Sequence, residues 1–131
     1  MLNLGLHKVQ GRVVFDPKSI STFRPWWAIV RVPRNIVEYY RHWVLWQTKE
    51  KITTSLWGAH ISVVRGEEIP HLEQWNKFPN QRVTIVYGNL QSNGLYYWLD
   101  VSSPELVLIR RKLGLPPEPK HGFHLTVGRK V

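Results

Sequence analysis

The chain has 131 residues, seven Trp and a hydrophobic fraction of 43%, which is enough to bury one core but too little for two independent domains. It contains no Cys, which excludes disulfides and thiolate metal sites and is compatible with the reducing cytoplasm, where we expect the protein to reside. The formal net charge of +9 predicts attraction to phosphate-bearing partners, although a basic surface that only keeps the protein soluble is the alternative.

No apolar run is long enough to span a bilayer, and residues 1–8 lack the features of a secretory signal, so we expect a soluble, unprocessed protein.

The first half of the chain predicts two strands and a helix. Residues 9–15 and 26–32 are rich in β-branched or aromatic side chains and predict strands, the second ending at Pro33. Large, mostly apolar side chains then recur at helical spacing as far as about residue 49, namely Ile36, Tyr40, Trp43, Val44 and Gln47.

The second half begins after a segment that reads as a connection. Residues 67–80 contain two Pro and several charges, and they predict at most one short helical turn, at residues 71–75. Residues 81–90 and 95–101 then predict a hairpin around the turn at residues 92–94.

A second helix is predicted after this hairpin. Ser102 and Glu105 fit a capping box, Pro104 suits a first helical turn, and Gly114 suits the end of the helix. Three residues at helical spacing are predicted to face the core: Leu106, Ile109 and Leu113.

Two short segments share one pattern, and the chemistry is predicted to lie there. Residues 58–65 and 122–129 both read G-apolar-H-apolar-[ST]-V-x-R. Composition predicts only about 0.6 chance matches to H-x-[ST], so two copies with the same flanking residues are a specific signal. Because side chains alternate along a strand, His60 and Ser62 share one face, and His124 and Thr126 do the same in the second copy.

The order strand, strand, helix, His strand therefore occurs twice, with an offset of 64 to 70 residues between matching positions. A unit present only twice predicts an α+β fold of two pseudo-symmetric lobes, each an antiparallel sheet with a helix, and not a solenoid. We expect one bilobal domain over residues 1–131, with lobe one at about 1–66, the connection at about 67–80 and lobe two at about 81–131. The active cleft would lie between the lobes, where the two His strands meet.

The paired motifs, His60-x-Ser62 and His124-x-Thr126, resemble those of the 2H phosphoesterase superfamily. This superfamily includes RNA 2′-5′ ligase-like proteins, phosphodiesterases that open 2′,3′-cyclic phosphates, and phage anti-CBASS enzymes that cut cyclic oligonucleotide signals. The resemblance implies a phosphodiesterase acting on cyclic nucleotides, cyclic oligonucleotides or RNA ends. It covers few positions in identity and does not choose among these groups.

Two imidazoles that titrate near neutral pH can accept and donate the two protons that phosphodiester cleavage moves, so no metal or other cofactor is required. We therefore assign His60 and His124 as the acid and base pair, and the sequence does not say which is which. Ser62 and Thr126 would donate hydrogen bonds to the non-bridging phosphate oxygens. The competing interpretation is that both His are buried structural residues, which the matched pair disfavours.

Secondary candidates flank the motifs. Arg65 and Arg129 follow each His by five residues and would point away from the pocket in an unbroken strand, so we assign them to phosphate steering unless a bulge turns them inward. Five aromatic residues on matching strands are candidates for stacking on nucleobases: Trp26, Trp27, Tyr96, Tyr97 and Trp98.

Other functional classes are less favoured. The sequence has no Walker loop, G-x-G-x-x-G, H-E-x-x-H or G-x-S-x-G motif, which disfavours enzymes of nucleoside triphosphates and dinucleotides. The remaining four His lack the motif and are expected in solvated positions. The alternative function is a non-catalytic RNA-binding module, in which the basic surface and the aromatic residues hold nucleic acid.

Overall fold

The computed structural model of the chain describes residues 6–16, 26–53, 58–77 and 80–131, which form an antiparallel sheet and two helices. The strands are β1 (His7–Phe15), β2 (Trp27–Arg31), β3 (Ile52–Thr53), β4 (His60–Arg65), β5 (Arg82–Ser92), β6 (Tyr96–Ser102) and β7 (His124–Lys130). The helices are α1 (Arg34–Thr48) and α2 (Pro104–Lys112), and Leu72–Gln74 forms a 3-10 turn. The fold class is α+β, as the sequence predicted.

The sheet order is β3-β7-β4-β2-β1-β5-β6, and a further pairing between β6 and β7 closes the sheet into a barrel-like ring. Strands β1 and β5 join the two halves of the chain over six residue pairs. On the other side of the ring, β4 and β7 are joined through the single pair Ile61 and Leu125. The two His strands are therefore direct neighbours in the sheet.

The core lies on one face of this sheet. Ile61 and Leu125 are 0% and 1% exposed and belong to the same hydrophobic cluster as Val44 of α1 and Leu106 of α2. Both helices contribute side chains to this cluster, so both pack on this face of the sheet. The opposite face of β4 and β7 carries the His.

The first helix occupies the predicted segment. It begins directly after Pro33 and ends at Thr48, and the C-cap residue Lys49 has a left-handed φ of 62°. Its buried residues are Ile36, Val37 and Val44, whereas Trp43 stays 43% exposed. The short strand β3 follows this helix, in a segment where the sequence predicted no strand.

The second helix begins one residue later than the predicted capping box implies. Ser102 still belongs to β6, where it pairs with Val86, so it is unavailable as a cap. Ser103 is the N-cap, and its hydroxyl accepts a hydrogen bond from the Leu106 amide at 3.4 Å. Glu105 accepts a hydrogen bond from the Thr84 amide of β5 at 2.6 Å, which ties the helix to the sheet.

The halves contain the predicted order of elements, with strand, strand, helix and His strand in each and β3 added in the first. The sheet runs continuously through both halves, so the division into two symmetric lobes stays a prediction. Within the described part of the chain, neither helix has the length and apolar character needed to cross a membrane.

Candidate active site

The adjacent His strands bring the two motifs onto one surface. Strands β4 and β7 are antiparallel and pair at Ile61 and Leu125. Continuing this register by one residue in each direction places His60 opposite Thr126 and Ser62 opposite His124. All four side chains are half-buried, between fully buried neighbours, and the two strands share the same burial pattern over their first six residues. The imidazoles and hydroxyls therefore alternate around a single patch.

Each His is held by the glycine two residues before it. The Nδ1 atom of His60 lies 3.0 Å from the carbonyl oxygen of Gly58, and Nδ1 of His124 lies 3.4 Å from that of Gly122. Both glycines have a positive φ, 78° and 71°, which residues with a side chain rarely adopt. Because a carbonyl oxygen only accepts, Nδ1 must carry the hydrogen, and this leaves Nε2 of the neutral ring as the atom that exchanges a proton with a substrate.

The electrostatic surroundings favour the neutral form of His60. Burial lowers its pKa from 6.5, as do the charges of Arg31, Arg65 and His124, whereas the hydrogen bond to the Gly58 carbonyl raises it and only partly offsets these effects. A neutral imidazole at neutral pH is able to accept a proton. The electrostatic effect of His124 on the pKa of His60 also indicates that the two rings are close to each other.

A β-bulge in each His strand redirects the arginine that follows. In β4 the partners of Ser62 and Val64 are consecutive residues of β2, so Val63 is the extra residue, and Val127 is the extra residue of β7 by the same criterion. Each bulge reverses the alternation of faces beyond it. Arg65 and Arg129 therefore lie on the His face, which is the case that the sequence left open for a strand with a bulge.

A buried arginine of α2 holds the bulge of β4. The guanidinium of Arg110 is fully buried, and its Nη1 donates to the Val63 carbonyl at 2.8 Å. It also binds both carboxylate oxygens of Glu67, at 2.7 and 2.8 Å. Its Nε donates to the Pro116 carbonyl at 2.8 Å, in the loop that leads to β7. Arg110 thus links both His strands to the second helix.

Sequence reasoning did not identify Arg110 as part of the site. The available signal was its position, because it lies in the core-facing stripe of α2, between Leu106 and Leu113 at helical spacing. A charge in such a stripe indicates a buried partner.

The neighbouring strand β2 adds three residues to the His face. Arg31 lies opposite His60, Ile29 opposite Ser62, and Trp27 opposite Arg65. The Trp27 ring meets the His60 ring edge-on, with centroids 6.0 Å apart. Trp27 and Ile29 are buried yet stand outside the main core cluster, as expected of residues on the opposite face of the sheet. Arg31 and Ile29 were not identified from the sequence, because their role depends on which strand pairs with β4.

The strand β6 contributes the corresponding residues beside β7. Asp100 lies opposite His124, Trp98 opposite Thr126, and Tyr96 opposite Arg129. The Arg129 guanidinium lies 6.0 Å from the centre of the Tyr96 ring, within range of a cation–π interaction. Asp100 accepts a hydrogen bond from the Gln91 amide at 2.9 Å and was not identified from the sequence.

The structure separates the five aromatic candidates into two groups. Trp27, Tyr96 and Trp98 lie on the His face. Tyr97 lies opposite Gly128 on the other face and packs against the core. Trp26 packs edge-on against Trp75, with centroids 5.3 Å apart, and also borders the core. Neither of these two lies beside the catalytic candidates.

The described ranges contain no group of three or more His, Cys, Asp or Glu arranged as metal ligands.

Comparison with known proteins identifies one family. The sequence profile of the family described as "Swiss Army Knife, 2H phosphoesterase domain" matches residues 46–131, a range that includes both H-x-[ST] motifs. Searches of curated proteins and of solved structures find no significant match.

Proposed function

Since the chain belongs to the 2H phosphoesterase family, and so has a phosphodiesterase type of function, we propose that it is a metal-independent hydrolase of nucleotide phosphodiesters. The observation that carries this proposal is the pairing of β4 with β7, which sets His60 and His124 on one face with the same Nδ1 hydrogen bond. Both rings are held by the same hydrogen bond and leave Nε2 available. One ring can therefore accept a proton and the other can donate one at the same phosphate.

In the proposed mechanism His60 is the base. Its lowered pKa favours the neutral ring, whose Nε2 takes a proton from the attacking water as that water bonds to phosphorus. His124, in its protonated form, gives a proton to the oxygen that leaves. The products are a phosphate monoester and an alcohol, and exchange of protons with solvent restores both rings.

Ser62 and Thr126 are proposed to bind the non-bridging oxygens of the phosphate. Each hydroxyl lies opposite the His of the other strand by register, so both would approach the phosphate that the rings contact. Fixed hydrogen-bond donors stabilise the charge that develops on these oxygens in the transition state. Arg65 and Arg129, turned to this face by the bulges, would attract the anionic substrate.

The substrate is proposed to be a nucleotide compound: a cyclic oligonucleotide, a 2′,3′-cyclic phosphate or an RNA end. Tyr96 and Trp98 are on the His face and are partly accessible, so we propose that a base stacks on them. Trp27 is buried, so its ring face is not accessible for stacking. We retain the cytoplasm as the proposed location.

We also propose that the two halves are pseudo-symmetric lobes about this cleft, with lobe one at about 1–66 and lobe two at about 81–131. The shared element order, the shared burial pattern of β4 and β7, and a bulge at the same motif position in each strand support this proposal.

The test is turnover in the presence of EDTA. His60→Ala and His124→Ala should each lower kcat by about 10² to 10⁴-fold, the usual contribution of a positioned acid or base, and leave the far-ultraviolet circular dichroism unchanged. His42→Ala is the matched control, because His42 is exposed on α1. The panel contains a 2′,3′-cyclic mononucleotide, a cyclic dinucleotide and a short RNA.

Wild-type activity in either motif variant would refute the two-histidine mechanism. Binding of RNA that survives both substitutions, with no turnover by the wild type, would instead support the non-catalytic RNA-binding module.

A further inference from the structure

A row of arginines crosses the sheet and ends at the active site. Arg31 of β2 lies opposite His60, Arg12 of β1 lies opposite Arg31, and Arg82 of β5 lies opposite Arg12. Directly paired residues of antiparallel strands share a face, so all three arginines are on the His face. All three are exposed. We call these residues, Arg82, Arg12 and Arg31, the arginine row.

The pairing of Arg12 with Arg82 costs stability in the absence of an anion. Like charges placed directly opposite each other across strands repel, and these two residues form such a pair. In the described part of the chain no salt bridge to a carboxylate neutralises Arg12 or Arg82. One charged residue among polar neighbours would be enough to keep this surface of the sheet soluble. Three adjacent arginines therefore indicate a ligand that carries several negative charges.

The length of the row indicates how far that ligand extends. Neighbouring strands lie about 4.8 Å apart, so the two steps from β2 to β5 span roughly 10 Å, and β4 with His60 lies one step beyond Arg31. A phosphate bound between His60 and His124 therefore lies at one end of the row, with Arg82 at the other. One guanidinium group can donate two parallel hydrogen bonds to two oxygens of the same phosphate. A row of arginines is therefore suited to bind successive phosphates of a nucleic acid backbone.

We propose that Arg12 and Arg82, with Arg31 next to the catalytic patch, form an extended phosphate-binding subsite, and that the substrate is therefore an oligonucleotide with phosphates beyond the one that is cleaved. This inference rests on the proposed function for the identity of the cleaved bond. A linear and a cyclic oligonucleotide offer the same chemistry to the row. A mononucleotide with a single phosphate does not.

The test compares substrates that differ in the number of phosphates. The rates of wild type, Arg12→Gln, Arg82→Gln and the double variant are measured with a linear RNA hexanucleotide, a cyclic dinucleotide and adenosine 2′,3′-cyclic monophosphate. Each single substitution should lower kcat/KM by roughly ten- to a hundredfold on the hexanucleotide, the loss of one charged hydrogen-bonding group. The loss on the mononucleotide should be much smaller, about threefold or less.

Salt dependence gives a second readout. The slope of log kcat/KM against log salt concentration on the hexanucleotide should become shallower by about 0.7 for each arginine removed. Arg111→Gln is the matched control, since this residue is exposed on α2 and its substitution removes the same charge. It should leave both the selectivity and the salt slope unchanged.

Equal losses on the hexanucleotide and the mononucleotide, or no loss on either oligonucleotide, would overturn the subsite and leave the phosphodiesterase proposal intact. A penalty on one oligonucleotide alone would support the subsite and identify the form it accepts. If the wild type cleaves nothing, the proposed function fails, and fluorescence anisotropy of the labelled hexanucleotide then decides the subsite. Affinity that falls in Arg12→Gln and Arg82→Gln, but not in Arg111→Gln, would support it, and unchanged or absent affinity would overturn it.

Discussion

Replacing Arg110 with Met should destabilise the protein and impair the site together. The substitution keeps the apolar stem and removes a guanidinium that is fully buried and makes hydrogen bonds to Val63, Glu67 and the loop before β7. Without it, the Glu67 carboxylate loses its partner and the Val63 carbonyl of the bulge loses its donor. The loss therefore falls on the strand that carries His60.

The size of this effect follows from burial. Removing one partner of a buried ion pair usually costs about 3 to 5 kcal/mol. The side chain of Glu67 is 31% exposed and can regain some water, so we expect about 3 kcal/mol. For a chain of this size that corresponds to a fall in Tm of roughly 10 °C. The stability of Arg110→Lys should lie between those of Arg110→Met and the wild type. The lysine keeps the positive charge, but its ammonium group cannot reproduce the planar, bidentate hydrogen bonding of the guanidinium.

The assay is urea and thermal unfolding followed by circular dichroism, with kcat measured well below the Tm. Arg111→Met, on the exposed side of the same helix, is the control and should change stability by less than about 0.5 kcal/mol. If Arg110→Met unfolds like the wild type, the guanidinium does not hold the bulge and this reasoning is wrong. If it unfolds early but keeps full kcat, Arg110 is structural and does not position His60.

The pH dependence of stability gives an independent check on this pair. The hydrogen bond from Arg110 lowers the pKa of Glu67 below 4.5, and burial, which raises it, only partly opposes this. A depressed carboxyl pKa stabilises the folded state above the unfolded value and loses that contribution as the pH falls through the folded value. The stability difference between the wild type and Glu67→Gln should therefore be largest above pH 4.5 and shrink on acidification.

Two further predictions concern the catalytic step. In EDTA, kcat/KM should rise and then fall with pH, and the rising limb should lie below the ordinary His value of 6.5, because the pKa of His60 is lowered in the free enzyme and the base must be neutral. Loss of activity in chelator that a divalent cation restores would count against this mechanism. Ser62→Ala and Thr126→Ala should each raise the barrier by roughly 1.5 to 3 kcal/mol, the value of a hydrogen bond to a charged group, with kcat/KM in single-turnover assays as the measure. Unchanged rates in both variants would remove the hydroxyls from the site.

Local patterns in the sequence were sufficient for most of the secondary structure. The helix from Arg34 to Thr48, the hairpin of β5 and β6 and the two His strands follow from periodicity and turn residues, which act over a few neighbours. The motif pair also indicated the superfamily through its resemblance to known 2H motifs, and the family match confirms it. Spacing along one strand fixed which side chains of each motif share a face. The capping box was misplaced by one residue, since Ser102 is taken by the ladder with Val86 of β5, a contact far along the chain.

Only the tertiary structure decided which strands pair with each other and where the β-bulges lie. The contact between β4 and β7 joins residues 64 apart in sequence, and no local pattern specifies such a pairing. The bulges at Val63 and Val127 reverse the faces of Arg65 and Arg129, because one extra residue shifts every later side chain to the other side of the sheet. The arginine row likewise arises from three strands whose register is set by long-range pairing, so charges scattered in the sequence become one surface only when the sheet forms.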